Sequence, residues 1–153
     1  METRTELKFK QRLSYYKPNK GGAGAAVQFD LNAEKQSVFV EIARQSGEKA
    51  FNWQEKMVFK LALSDMGKLL LVLRDKVKTT QLFHDPSKGE YALAKDTKNA
   101  TLSLTKGDYG YFLKVSQQGQ DGNLNSIQMA LADDEALVLS IMLEKAVEKS
   151  VGW

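Results

Sequence analysis

The chain has 153 residues, a length that suits one domain able to bury its own core. It holds no cysteine and one histidine, which excludes disulfides, thiolate metal centres, cysteine nucleophiles and histidine-rich metal cages. Twenty-two basic residues stand against nineteen acidic ones, and a formal charge of +3 argues by itself for no particular partner.

Residues Met1 to Glu6 lack the apolar core of a signal peptide, so a cytoplasmic protein is expected. The longest strongly apolar run, Leu69 to Leu73, is five residues, against the roughly 20 that a membrane span needs. Leu7 to Tyr16 alternates, with Lys8, Lys10, Arg12, Ser14 and Tyr16 on one face and Leu7, Phe9, Leu13 and Tyr15 on the other. That period predicts a half-buried strand. Pro18 to Gly22 predicts a turn. Gly24–Asn32, Gln36–Arg44 and Gln54–Leu63 alternate again and predict three more strands. Ser64-Asp65 reads as a helix cap before a leucine-rich helix over Met66–Lys76.

The second half predicts strands over Thr79–His84, Ala100–Lys106, Tyr109–Gln118 and Asn125–Leu131, with a loop from Asp85 to Lys98. Asp133-Asp134-Glu135 opens a final helix to about Lys149, its acids suited to the positive end of the helix dipole. Ala62-Leu63-Ser64-Asp65 and Ala130-Leu131-Ala132-Asp133 suggest an internal repeat at an offset of 68. The expected fold is α+β, two repeats of four antiparallel strands and a helix, ββββα-ββββα. One domain of two halves, about 7–78 and 79–149, follows.

No constellation for catalysis emerges. His84-Asp85 is the single histidine–carboxylate neighbourhood and has no recognisable nucleophile or metal ligand beside it. Gly21-Gly22-Ala23-Gly24 lacks the phosphate-loop pattern and precedes a strand rather than a helix. No enzyme activity, metal or cofactor is expected.

Binding is better supplied. Residues 1–20 carry a net +4 and residues 133–153 a net −3, so the basic surplus is concentrated. Lys8, Lys10 and Arg12 would stand about 6.8 Å apart along one strand face. Tyr15, Tyr16, Tyr109, Tyr111 and Phe112 lie among the basic segments. Two readings stand: a phosphate track with stacking platforms for a single strand, or a solubilised edge strand with core aromatics. The final helix is apolar round most of its circumference, which requires cover from the first helix or from a second subunit.

The order of strands and helices over about 150 residues resembles the Whirly-like family of single-stranded DNA-binding proteins, in the superfamily of the positive cofactor four type coactivators. Tyr16-Lys17-Pro18-Asn19-Lys20-Gly21-Gly22-Ala23-Gly24-Ala25-Ala26-Val27 is similar to that family's lysine-glycine-lysine-alanine-alanine signature, with Gly22 where the second lysine would be. Thr105 to Phe112 and the terminal Gly152-Trp153 are similar to bacterial relatives, so a bacterial or phage member is expected, in the bacterial cytoplasm or nucleoid or in an infected host.

The resemblance implies binding of single-stranded DNA, with RNA as the alternative polymer, in transcription regulation, replication or recombination. Phosphate contacts are expected from Lys8, Lys10, Arg12, Lys17, Lys20 and Lys106, and base contacts from Tyr15, Tyr16, Tyr109 and Tyr111. It also implies a homo-oligomer, dimer or tetramer, through the C-terminal helix, with Leu137, Ile141, Met142 and Trp153 at the contact. The competing reading is an oligomeric interaction or scaffold domain without nucleic-acid binding. A carrier with a small molecule between its sheets is a third.

Overall fold

A computed structural model of the chain describes residues 12–32, 37–84, 97–119 and 121–152. Alternation of small or branched apolar residues with polar ones builds the first sheet. Its strands are β1 (Arg12–Lys17), β2 (Ala25–Asn32), β3 (Ser37–Gly47), β4 (Ala50–Phe51) and β5 (Met57–Leu61). They pair antiparallel in the order β1-β2-β3, with β4 and β5 both on β3. The second sheet runs β6 (Thr79–His84), β7 (Thr97–Gly107), β8 (Gly110–Gly119) and β9 (Leu124–Leu131), each paired with the next. Helix α1 (Leu63–Leu73) follows the first sheet and α2 (Asp133–Ser150) the second.

The inner faces of both sheets and one stripe of each helix share a single core. Val27, Phe29, Val40, Ile42 and Phe59 enter it from the first sheet, and Leu102, Leu104, Leu113, Val115 and Leu131 from the second. Met66, Leu69, Leu139 and Leu143 close it from the helices. Each such side chain contributes about 1.5–3 kcal/mol by leaving water. Arg44 ties the two sheets together by donating to the Ser126 carbonyl at 2.6 Å.

Four sequence-based expectations need correction. The first half holds a fifth, two-residue strand, and Trp53–Glu55 is a turn of 3-10 helix rather than the start of a strand. Helix α1 is capped at Ala62, not at Ser64-Asp65, because the Asp65 carboxylate reaches back to accept the Ala62 N–H at 2.9 Å. It ends at Leu73 rather than Lys76, because Asp75 turns left-handed (φ 60°) and its N–H bonds the Val72 carbonyl. Aspartate is among the few side chains that accept that conformation readily.

Helix α2 starts the same way as α1. Glu135 accepts the Ala132 N–H at 2.8 Å. Ala62 and Asp65 therefore correspond to Ala132 and Glu135, and the halves align at an offset of 70, not 68. The strand-to-helix corner, a leucine closing the strand and an acid three residues past the cap, sets that register.

Candidate nucleic-acid interface

The β1–β2 turn is locked in place by Gln45. Its Oε1 accepts the backbone N–H groups of Asn19 (3.0 Å) and Gly24 (2.9 Å). Its Nε2 donates to the carbonyls of Asn19 and Gly47, both at 3.0 Å. The turn closes so tightly that a β-carbon at Gly24 would stand 2.1 Å from the Lys17 carbonyl oxygen and 2.6 Å from Gln45 Oε1. Gly24→Ala is therefore expected to cost about 1–3 kcal/mol, as overpacking against fixed backbone does. A thermal melt by circular dichroism reads it, and an unchanged melting temperature would mean the turn is free to open.

Two hollows flank this turn. One, of about 650 Å³, lies between it and the β3–β4 turn and is lined by Lys20, Glu48 and Lys49 among others. The other, of about 380 Å³, lies toward the second sheet, lined by Lys17, Asn19, Tyr109, Gln128 and Ala130. Tyr16 is exposed and leans on Phe51, ring centroids 5.8 Å apart. Tyr109, on the β7–β8 turn, is 98% exposed.

The expected contact residues do not all gather here. Lys8, Lys10 and Trp153 lie outside the described residues, as does Asp85. Arg12 is on the outer face of β1 and pairs with Asp30 at 3.3 Å. Lys17 pairs with Glu135 at 2.6 Å, fixing the turn to the start of α2. Lys20, Tyr16 and Tyr109 are open to solvent. Lys106 is held by Asp75 at 2.5 Å and lies 5.9 Å from the centroid of the Tyr111 ring.

Tyr15 and Tyr111 turn inward. Tyr111 is 6% exposed, and Tyr15 packs half-buried on the core while its hydroxyl donates to the Glu135 carbonyl at 2.9 Å. Burial raises the phenol pKa of Tyr15 above 10.0, and the carboxylates of Glu135 and Asp134 push the same way. Tyr111 is raised too, first by burial and then by Asp75. Ionisation thus costs more in the folded chain than in the unfolded one, so this stability is full below pH 10.0 and is lost as pH rises past the raised values. Tyr15→Phe is expected to lower stability by about 1 kcal/mol at neutral pH through the missing hydrogen bond. The gap to the unaltered chain should narrow above pH 10, in melting curves taken across that range.

His84 pairs with a carboxylate from the start of α1. Its Nε2 meets buried Asp65 at 2.8 Å, and its ring packs against Phe59 at 4.7 Å. Asp65 is already engaged at the cap of α1. No group of three metal-ligating side chains occurs among the described residues.

On the helices, Leu137 and Ile141 stand 61% and 58% exposed, one turn apart on α2, with Val138 beside them. Met142 is half-buried against the core. On α1, Leu63 and Leu71 are also exposed, and a β-carbon on Gly67 between them would meet nothing within 4 Å. No helix among the described residues is long and apolar enough to cross a membrane.

A profile of the Whirly transcription factor family matches residues 3–142. The chain belongs to the Whirly family. The chloroplastic single-stranded DNA-binding protein WHY1 of Arabidopsis thaliana is 26% identical over 117 residues, 76% of this chain. The chain spans 44% of that protein's length. The crystal structure of Arabidopsis WHY1 superposes with a TM-score of 0.72 at 22% identity, covering 95% of this chain and 93% of that one. A guideRNA-binding protein complex bound to a gRNA superposes with a TM-score of 0.67 at 15% identity, covering 97% of each chain. The Whirly-like α+β fold is thereby established, with antiparallel sheets and two helices. The expectation of a bacterial or phage source in a cytoplasmic setting finds no support among these relatives, where the curated one is a plant chloroplast protein.

Gln45 is the residue that the sequence pattern does not single out. An amide 21 positions from the glycine it clamps leaves no signal in periodicity or motif. Lys49 carries no such signal either, and its left-handed backbone (φ 60°) beside Gly47 marks the turn that presents it.

Proposed function

We propose that this Whirly protein is a non-catalytic binder of single-stranded nucleic acid, acting in transcription regulation, replication or recombination. The observation that carries the reading is the clamped β1–β2 turn. It fixes the backbone that carries Lys17 and Lys20 between two hollows, with Lys49 across one hollow and Tyr109 beside the other. A fixed backbone leaves less ordering entropy to lose when its cations meet phosphates, and exposed aromatic rings accept bases of any sequence. Lys20 and Lys49 form no ion pair among the described residues, whereas Lys17 and Arg12 must exchange a carboxylate partner for a phosphate. Lys8 and Lys10, outside the described residues, are proposed as further phosphate contacts on the sequence alternation alone. Tyr16 and Tyr109 take the stacking roles, while Tyr15 and Tyr111 brace the fold.

The assembly proposed is a homo-oligomer joined through the helices. Leu137, Val138 and Ile141 on α2 form an open apolar face, and the glycine between Leu63 and Leu71 on α1 answers no packing need among the described residues. A glycine inside a helix costs about 1 kcal/mol relative to alanine, which close approach of another helix would offset. Both halves then act as one domain, since their side chains share one core.

DNA is the polymer this reading favours, from the similarity to a named single-stranded DNA-binding protein. RNA is the second reading, favoured by the guideRNA-binding neighbour of the same fold. Fluorescence anisotropy with labelled single-stranded DNA, single-stranded RNA and duplex DNA of one sequence tests both. Tight binding of the DNA single strand over the duplex is expected. Equal, weak binding to all three would overturn the proposal.

A further inference from the structure

The edge of a sheet carries backbone groups without a strand to pair with, and proteins ordinarily cover or charge it. On the first sheet, β1 bears Arg12 and Lys17, and the start of α2 closes over its end through Tyr15 and Lys17, both bonded to Glu135. On the second, β9 faces the first sheet, where Arg44 donates to the Ser126 carbonyl. The other edge, β6, is different. It pairs with β7 alone among the described residues and ends the sheet. Its residues Thr79–His84 include no lysine, arginine, acid or proline, and their register with β7 runs without a bulge. The devices that usually discourage strand addition are missing from it.

The register also says which way its backbone groups point. Lys106 donates its N–H to the Lys78 carbonyl at 2.8 Å, which makes these two a hydrogen-bonded pair. Antiparallel pairs alternate, so Thr80 with Leu104 and Leu82 with Leu102 bond in turn. Thr79, Gln81 and Phe83 fall between, and their N–H and C=O groups turn away from β7 along the free edge. Each offers one donor and one acceptor, repeated about every 6.8 Å. Both ends of the strand are held. The hydroxyls of Thr79 and Thr105 bond at 2.8 Å, and His84 is anchored on Asp65 and Phe59. An edge already held loses little freedom when another strand joins it.

The surroundings of the edge are apolar at one end and basic at the other. Phe83 stands 65% exposed on the outer face. Lys76 and Lys78 are exposed just before the strand, and neither forms an ion pair among the described residues. The outer face of the second sheet carries no carboxylate among its described residues.

We infer that the free edge of β6 docks an extended segment of a partner protein, which joins the second sheet as a fifth, antiparallel strand. Every pairing in this sheet is antiparallel, and that is the more stable arrangement. The direction sets the partner's chemistry. A branched apolar side chain lies over Phe83 near the start of the segment, and carboxylates near its end meet Lys78 and Lys76. Backbone hydrogen bonds supply the affinity, and the side chains supply the choice of partner. Charge argues against a second copy of this chain in the same place, since it would add its own Lys76, Lys78 and Lys114 to a face without acids. The inference concerns a protein partner and stands apart from the single-strand reading.

The probe is a labelled synthetic peptide of alternating valine and threonine that ends in three glutamates, titrated into the full chain and followed by anisotropy. Saturable binding is expected. Gln81→Pro removes a donor that points away from β7 and leaves the ladder intact, as proline on an edge strand can. The melting temperature should hold, and affinity for the peptide should fall by at least about tenfold. The peptide methylated at its valine amides, which face β6, should not bind, whereas methylation at the threonine amides should leave binding unchanged. These two peptides test the edge on the unaltered chain, however Gln81→Pro folds. Lys76→Glu with Lys78→Glu should weaken the glutamate-ended peptide by at least about tenfold and spare one ending in glutamines. Equal binding of the two methylated peptides overturns the inference, as does full affinity in Gln81→Pro or the lack of saturable binding. A change in oligomer size on Gln81→Pro, without peptide, would assign the edge to a second copy and overturn it as well.

Discussion

Lys20→Glu combined with Lys49→Glu is expected to weaken binding of a single-stranded oligonucleotide by at least about tenfold at moderate salt. Both lysines line the 650 Å³ hollow beside the clamped turn. Removing one lysine–phosphate pairing should make the log–log salt slope less negative by about 0.7, so the double substitution should change it by about 1.4. Both side chains are exposed, so the melting temperature should hold. Anisotropy titrations at several salt concentrations read affinity and slope together. Weaker binding with an unchanged slope would assign the lysines a role other than meeting phosphates.

A second large effect is expected on assembly. Leu137→Glu with Ile141→Glu places two carboxylates on the open face of α2. In a free protomer both would be solvated and nearly neutral in effect. In a helix-to-helix contact each would be desolvated without a partner, at several kcal/mol apiece. The dissociation constant should rise more than about a thousandfold. Light scattering behind size-exclusion chromatography should then report a monomer where the unaltered chain is expected to give a dimer or tetramer. Gly67→Leu gives an independent check through α1, because a β-carbon at that exposed position meets nothing within 4 Å among the described residues. An unaltered chain that runs as a monomer at working concentration would refute the proposed assembly.

The two effects are coupled through valency. A dimer or tetramer presents several basic turns to one strand, and linked sites raise the apparent affinity well beyond that of one protomer. The helix variant should therefore also weaken binding to long oligonucleotides while sparing short ones. A short strand engages one protomer in either case.

Much of the fold is legible because period-two alternation is read directly from the residues. Val27-Phe29-Leu31 and Val38-Val40-Ile42 leave little choice about strand or facing. The same parity places Tyr15 with Leu13 and Tyr111 with Leu113, both inward, and sends Tyr16 and Phe112 outward. The helix ends mislead for a local reason. Ser64-Asp65 has the composition of a cap, but the acid works from the third helical position and caps Ala62 instead. The repeat offset goes astray with the cap, and the equivalence of Leu61 with Leu131 restores it.

The site is legible in composition and not in arrangement. Concentration of cations in residues 1–20 and the glycines of the turn point to the segment proposed here as the binding surface. Nothing in the sequence joins that turn to Gln45, Lys49 or the edge of β9, because those contacts exist only after β2 and β3 pair and the second sheet packs. Phe83 escapes notice for a similar reason. A phenylalanine in a strand is ordinarily core, and its exposure is decided by register with Thr101 rather than by its own neighbours.

The most direct measurement is a competition. A labelled single-stranded DNA bound to the full chain is challenged with unlabelled single strand and with unlabelled duplex of the same sequence. The account predicts that the single strand displaces the label at concentrations far below those the duplex requires, and that the difference persists as salt is raised. Equal displacement by the two competitors would contradict it, because phosphates alone would then account for all of the binding.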